Sequence, residues 1–361
     1  MNTIVRIVNE ENINMDYINE AGEILRNGGL VAFPTETVYG LGGNALDKDA
    51  SAKIYAAKGR PSDNPLIAHI SNEAELEPLV SYIPECARKL MKAFWPGPLT
   101  MVFKKSDIVP YETTGGLETV AVRMPSHKVA LAMISQAGVP IAAPSANTSG
   151  RPSPTLASHV VEDLDGKVDM IIDGGKVGIG IESTIVDVTT EIPMILRPGF
   201  ITKKMIEQVI GEVSEDKVVS ATDISVVSDD SYTPKAPGMK YKHYAPQAEL
   251  TMYEGDVKAV IATINEVAKM NRENGVKVGV IATEETKEMY NADYVVSIGT
   301  RQDEASIARG LYEVLRSFDA TDVGVILSET FYEDELGCSV MNRLIKAAGY
   351  RLVKVGNDEI Q

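Results

Sequence analysis

Short apolar runs, four to seven residues each, recur along this chain and limit what it can fold into. "LVAF" (30–33), "LIAHI" (66–70), "LTMVF" (99–103), "TVAVRM" (119–124), "PIAA" (140–143), "MIID" (170–173), "STIVDV" (183–188) and "MILR" (194–197) are too short for buried helices and read as strands. Fewer segments carry a helical period. Met15, Ile18, Ala21 and Leu25 recur at helical spacing, and Gly28-Gly29 supply a stop. Residues 49–58 form a short helix that delivers Lys58 to a loop. Pro84 opens another helix and Pro96 ends it, Ser126 caps one that ends before Gly138, and one follows Thr202. So many strands with so few helices predict a mixed α/β or α+β sheet, not a regularly doubly wound one.

Residues 212–248 lose this pattern to charges, Ser, Asp and Pro, and read as a linker. Beyond it, "KVGVIA" (277–282), "DYVVSIG" (293–299) and "DVGVIL" (322–327) are buried strands with helical segments between them, such as 304–318. That alternation predicts a small open α/β domain with a parallel sheet. The 361 residues are thus expected to form a first domain (1–211), a linker (212–248) and a second domain (249–361).

The net charge is −16, which disfavours an extended nucleic-acid surface. Two local exceptions stand out. Residues 119–161 contain no Asp or Glu, where the average content would give roughly six. They keep Arg123, Lys128 and Arg151, although "ALAMI" (130–134) is core. Residues 233–248 are also acid-free and carry Lys235, Lys240, Lys242 and His243. No apolar run is long enough to cross a bilayer. The N-terminus lacks an export pattern, and Cys86 and Cys338 are expected to be reduced, so the expectation is a cytoplasmic protein.

Common catalytic signatures are absent: no Walker loop, no G-x-G-x-x-G, no nucleophile elbow, and no metal spacing among His69, His127, His159 and His243. Polar loops at strand ends remain. "PTETVYGLG" (34–42) reads either as a tight turn with capping threonines or as hydroxyls that orient a ligand. "KGRPSDNP" (58–65) reads either as a solvated helix end or as an anion site. "APSANTSGRPSPT" (143–155) offers hydroxyls, amides and no acid, which favours an anion cradle. "GIGIESTIVDV" (178–188) places Ser183 at a strand start, and "LRPG" (196–199) places Arg197 at a strand end.

Taken in order, "PTETVYGLG", "KGRPSDNPLIAHI", "FWPGPLT", "VAVRMP", "PSANTSGRPSPT", "ESTIVD" and "ILRPG" resemble the threonylcarbamoyl-AMP synthase (YrdC-like) domain. "PGMKYKHYAP" (237–246) and "LGCSVMNRLIKAA" (336–348) resemble the longer, two-domain form. The resemblance implies a YrdC-like twisted mixed sheet with flanking helices and a concave cavity, followed by a smaller open, Rossmann-like α/β domain. It implies a nucleotidyltransferase that condenses L-threonine, bicarbonate and ATP, with Mg²⁺ on the phosphates. The products are threonylcarbamoyl-AMP and pyrophosphate, and a separate transferase moves the threonylcarbamoyl group to tRNA beside the anticodon.

Under the resemblance, Thr37, His69, Arg123, Ser183 and the Ala143 backbone hold threonine. Lys58, Arg60, Asn64, Thr119, Ser145, Asn147, Ser153 and Arg197 surround ATP, with Lys58 and Arg60 acting in catalysis; as parts of a stiff loop, these two are expected to matter little for folding. Tyr241 closes over the nucleotide and, with His243, forms a lid. No protein metal ligand is implied, and weak RNA binding is compatible. An RNA-binding accessory role fits the net charge poorly. A sugar-phosphate lyase or synthase would need clustered acids, for which Glu36 and Glu182 are the nearby candidates.

Overall fold

A computed structural model describes residues 2–217, 219, 244–331 and 335–356. These fall into two compact units. The first holds residues up to Ser149 and from Ser153 to 219; the second holds Gly150–Pro152 and residues from 244 onward.

The strands of the first unit are β1 (Ile4–Ile7), β2 (Val31–Phe33), β3 (Gly40–Asn44), β4 (Ile67–His69), β5 (Leu99–Lys104), β6 (Thr119–Arg123), β7 (Ile141–Ala142), β8 (Met170–Asp173), β9 (Thr184–Asp187), β10 (Met194–Arg197) and β11 (Ser214–Glu215). Its helices are α1 (Met15–Arg26), α2 (Lys48–Lys58), α3 (Glu85–Phe94), α4 (Tyr111–Thr114), α5 (Lys128–Ala137), α6 (Ala157–Leu164) and α7 (Lys203–Ile210). The strands form one sheet in the order β1-β8-β2-β3-β7-β4-β6-β5-β9-β10-β11. It is mixed, as the excess of strands requires: β4 runs parallel to β6, β5 antiparallel to β6 and parallel to β9, and β10 antiparallel to β9.

Alternation along the strands divides the core. Val31 and Phe33 join Ile18, Leu25 and Met133 in one cluster, while Ala32 joins Ile54, Leu90 and Val122 in another. β2 is therefore buried on both faces, which is why it reads as an uninterrupted apolar run. A third, small cluster of Ile67, Val102, Ala121, Ile185 and Leu196 lies across β4, β5, β6, β9 and β10.

Local chemistry sets the helix ends. Asn14 caps α1 by accepting from the amides of Asp16 and Tyr17, and Thr202 caps α7 through Met205. Ser126 does not cap α5. The N-cap is His127, with no side-chain bond, so the expected cap is off by one residue. The amide of Lys128 finds Glu10 instead, at 2.9 Å. Helix α2 ends at Gly59 in the left-handed region (φ 61°), where glycine is at no disadvantage.

In the second unit β12 (Glu249–Glu254), β13 (Val278–Ala282), β14 (Tyr294–Ser297), β15 (Val325–Glu329) and β16 (Leu352–Lys354) form a sheet ordered β14-β13-β15-β12-β16. Every pairing is parallel, and α8 (Val257–Glu273), α9 (Glu304–Asp319) and α10 (Glu335–Ala347) lie between the strands in sequence. β15 starts three residues later than "DVGVIL" suggested. Asp322 is drawn out to an exposed pair with Lys277 at 2.6 Å. Among the described residues no helix is long and apolar enough to cross a membrane.

The loop 58–65 is backed by Gly115, at φ 62°, where an added Cβ would lie 3.0 Å from the Asp63 carbonyl oxygen. Gly115→Ala is expected to lower the unfolding free energy by about 1–2 kcal/mol. Urea denaturation checks this.

Candidate active site

Period-two alternation turns the third cluster into a floor with a polar row beside it. On β4 the floor residue is Ile67 and the residue two further is His69. On β6 they are Ala121 and Arg123, and on β5 Val102 and Thr100. The register aligns the three polar residues: His69 pairs with Arg123, and Arg123 with Thr100. Paired residues share a face, so His69, Arg123 and Thr100 project from one side of the sheet. Ser183, two residues before floor residue Ile185, extends the row, and its hydroxyl lies 2.7 Å from that of Thr100.

Arg197 reaches this row through a bulge. Ile195 pairs with Val186, but Arg197 pairs with Ile185, so the register slips by one between them. A bulge can re-aim a side chain, and here it puts the arginine on the floor side. Its Nε donates to the Ser183 carbonyl at 3.1 Å and its NH2 to the Ser183 hydroxyl at 3.2 Å.

The loop after β2 closes over the row. Thr37 is fully buried, and its hydroxyl accepts from Arg123 NH1 at 3.0 Å. Arg123 also donates from Nε to the Gly97 carbonyl at 3.3 Å, and its NH2 lies 2.6 Å from Glu36 Oε1. Burial pushes the Glu36 carboxyl up, but the Arg123 charge, with the amide dipoles of Glu36 and Ser126, outweighs it and holds the group below the usual carboxylate range. His69 is buried, with Nδ1 3.0 Å from the Ile67 carbonyl. Burial and the neighbouring Arg123 lower its pKa to about 3, so the imidazole is neutral at physiological pH.

A second group forms beside Ser145, which makes a bridge with Gly40. Lys58, the last residue of α2, is 2% exposed. Its Nζ donates to the Ser145 carbonyl at 2.5 Å and to the Asn147 carbonyl. The Ser145 hydroxyl donates to Asn147 Oδ1 at 2.6 Å, and the Ser153 hydroxyl to Glu182 Oε1 at 2.6 Å. Arg60 NH2 donates to the Asn64 and Pro65 carbonyls at 3.1 and 3.0 Å, closing its own loop. Asn64 Oδ1 is buried without a hydrogen-bond partner. Ala143 follows β7, its amide bonded to the Ile67 carbonyl at 2.9 Å.

The structure thus gathers Thr37, His69, Arg123, Ser183 and Arg197 around one row, and Lys58, Ser145 and Asn147 around one loop. Thr119 lies on the same face as Arg123, four residues earlier on β6, roughly 13 Å along the strand. Tyr241 and His243, and with them the expected lid, lie outside the described residues. The expectation that Lys58 matters little for folding is corrected. A buried ammonium needs acceptors, and the two carbonyls it finds pin the 145–147 loop to α2. Thr100 and the pairing role of Glu36 were not anticipated. The spacing of two from Val102 marks Thr100, whereas nothing local marks Glu36, whose partner is 87 positions away.

A family profile described as "Telomere recombination" matches residues 23–199, and one described as "Threonylcarbamoyl-AMP synthase, C-terminal domain" matches 201–349. A Bacillus subtilis protein named threonylcarbamoyl-AMP synthase is 50% identical over 351 residues, covering 97% of this chain and 98% of its own. The Pyrococcus abyssi protein of that name is 52% identical over 338 residues, covering 94% and 96%. The crystal structure of P. abyssi Sua5 complexed with L-threonine superposes with a TM-score of 0.91 at 50% identity, covering 98% of this chain and all of that one.

Two outcomes follow from the geometry. Lys58→Ala leaves the Ser145 and Asn147 carbonyls without their buried donor and is expected to cost about 2–4 kcal/mol, with faster amide exchange across 145–149. His69 should not titrate between pH 5 and 8 by proton NMR. Its folded pKa lies below the unfolded 6.5, so the unfolded chain binds the extra proton. Its share of stability is full above pH 6.5 and falls toward pH 3, by up to about 1.4 kcal/mol per pH unit.

Proposed function

The chain belongs to the family of threonylcarbamoyl-AMP synthases, ATP-using enzymes that form an adenylate and release pyrophosphate, and from that premise we infer which of its residues hold each reactant. The reactants are L-threonine, bicarbonate and ATP. The observation that carries the reading is the row His69–Arg123–Thr100–Ser183, with one charged fork set among neutral donors and acceptors.

Threonine binds along that row. Arg123 takes its carboxylate in a two-point contact, which a guanidinium fork suits. Ser183, Thr37, neutral His69 and the Ala143 backbone supply the remaining polar contacts. ATP binds along the loops of Lys58, Arg60, Asn64, Ser145, Asn147 and Ser153, with Thr119 farther along the same face. Arg197 stands between the two sets because it is anchored on Ser183. Lys58 acts by holding the Ser145–Asn147 loop in place, and Arg60 by fixing its own turn.

The chemistry then needs no nucleophilic side chain. The threonine amine and bicarbonate form a carbamate with loss of water, and a carbamate oxygen attacks the α-phosphorus. The bond to the β-phosphate oxygen breaks, and its electron pair leaves with pyrophosphate. The protein must bring two anions into line and offset their repulsion, which preset cations, hydroxyls and amides achieve. Magnesium, carried on the ATP phosphates, would offset more of that charge. No protein ligand to it is proposed. Tyr241 and His243 are proposed to close over the adenylate. The product passes to a separate tRNA threonylcarbamoyl transferase, with any direct RNA contact weak, in the cytoplasm.

Pyrophosphate release measured with each reactant omitted in turn tests the reading. The expected result is release only when threonine, bicarbonate and ATP are all present. Equal release without threonine or without bicarbonate would overturn it.

A further inference from the structure

Arg123 is 4% exposed, and two of its side-chain partners, the Thr37 hydroxyl and the Gly97 carbonyl, are uncharged. A third is Glu36, its NH2 lying 2.6 Å from Oε1. The contact is short and both side chains are largely buried, so the two charges face each other with little water between them. The Glu36 backbone is itself fixed, because its carbonyl accepts the Ile179 amide at 2.8 Å, and the next carbonyl, that of Thr37, accepts the Gly180 amide at 3.1 Å. The carboxylate therefore stands on an anchored loop, and the guanidinium is the group that adjusts to it.

We propose that Glu36 is a positioning residue for the amino-acid end of the site: its carboxylate balances the buried Arg123 charge and sets the guanidinium fork toward the substrate carboxylate. A two-point contact between fork and carboxylate tolerates little rotation. Without Glu36 the NH2 group would be buried against neutral neighbours and would turn toward another acceptor, taking the fork out of line. His69 cannot supply the missing charge balance, since a neutral imidazole carries none and a protonated one would add to the excess. The inference rests on the assignment of threonine to Arg123 and deepens it.

Calorimetric titration with L-threonine, together with steady-state KM values for threonine and ATP, tests it on Glu36→Gln, Glu36→Asp, Arg123→Gln and the double variant E36Q/R123Q. Glu36→Gln is expected to weaken threonine binding about tenfold, within the range for contacting side chains, and to leave the ATP KM within about twofold. Glu36→Asp should recover part of the loss. The double variant should make adenylate with a threonine KM within about twofold of Arg123→Gln, because Glu36 acts through Arg123. A purely structural role would instead raise both KM values or lower the active fraction. Unchanged threonine binding in Glu36→Gln, or losses that simply multiply in the double variant, would overturn the proposal. Should Glu36→Gln fail to fold, Glu36→Asp is expected to show a smaller loss confined to threonine, and its absence there is equally contrary. Wild-type protein that binds no threonine would instead sink the functional reading.

Discussion

The lateral register of β4, β6 and β5 is the constraint on which the site depends. His69, Arg123 and Thr100 come from segments more than 20 residues apart, and only their pairing puts them in one row. Each sits two residues from an apolar floor residue on its own strand, so the packing that buries Ile67, Ala121 and Val102 also fixes the polar row. A slip of one residue would turn the row into the opposite core. The bulge in β10 then adds Arg197 to the same face, which regular alternation would have denied it.

Charge is distributed unevenly over this frame. In the polar row Arg123 is balanced by Glu36, and His69 is neutral. Lys58 and Arg60 point their donors at backbone carbonyls. Lys58 and Arg60 are thus part of the scaffold: the charges that stand out in "KGRPSDNP" staple that loop and its neighbour in place.

Much of the fold was legible because its strands are buried on both faces. β10 coincides with the apolar run "MILR", and β2 and β5 each differ from theirs by one residue. β3 was less visible, since "GLGGN" carries few side chains to mark a strand. The boundary of α5 was misjudged because Ser126 has the right chemistry for a cap but the chain starts its helix one residue later. In the site, the residue types could be named from motif resemblance and the local loops. Their pairing could not. Glu36 and Arg123, or Lys58 and Asn147, meet only when the sheet closes, and no local pattern encodes a contact across that much chain.

The most direct test is a crystal structure of the protein with L-threonine and a non-hydrolysable ATP analogue. The account predicts the threonine carboxylate within about 3 Å of the Arg123 guanidinium, beside Ser183 and Thr37, with the phosphates toward the 58–65 and 143–153 loops. A phosphate group seated on Arg123, or the threonine carboxylate seated at the 58–65 loop, would contradict it.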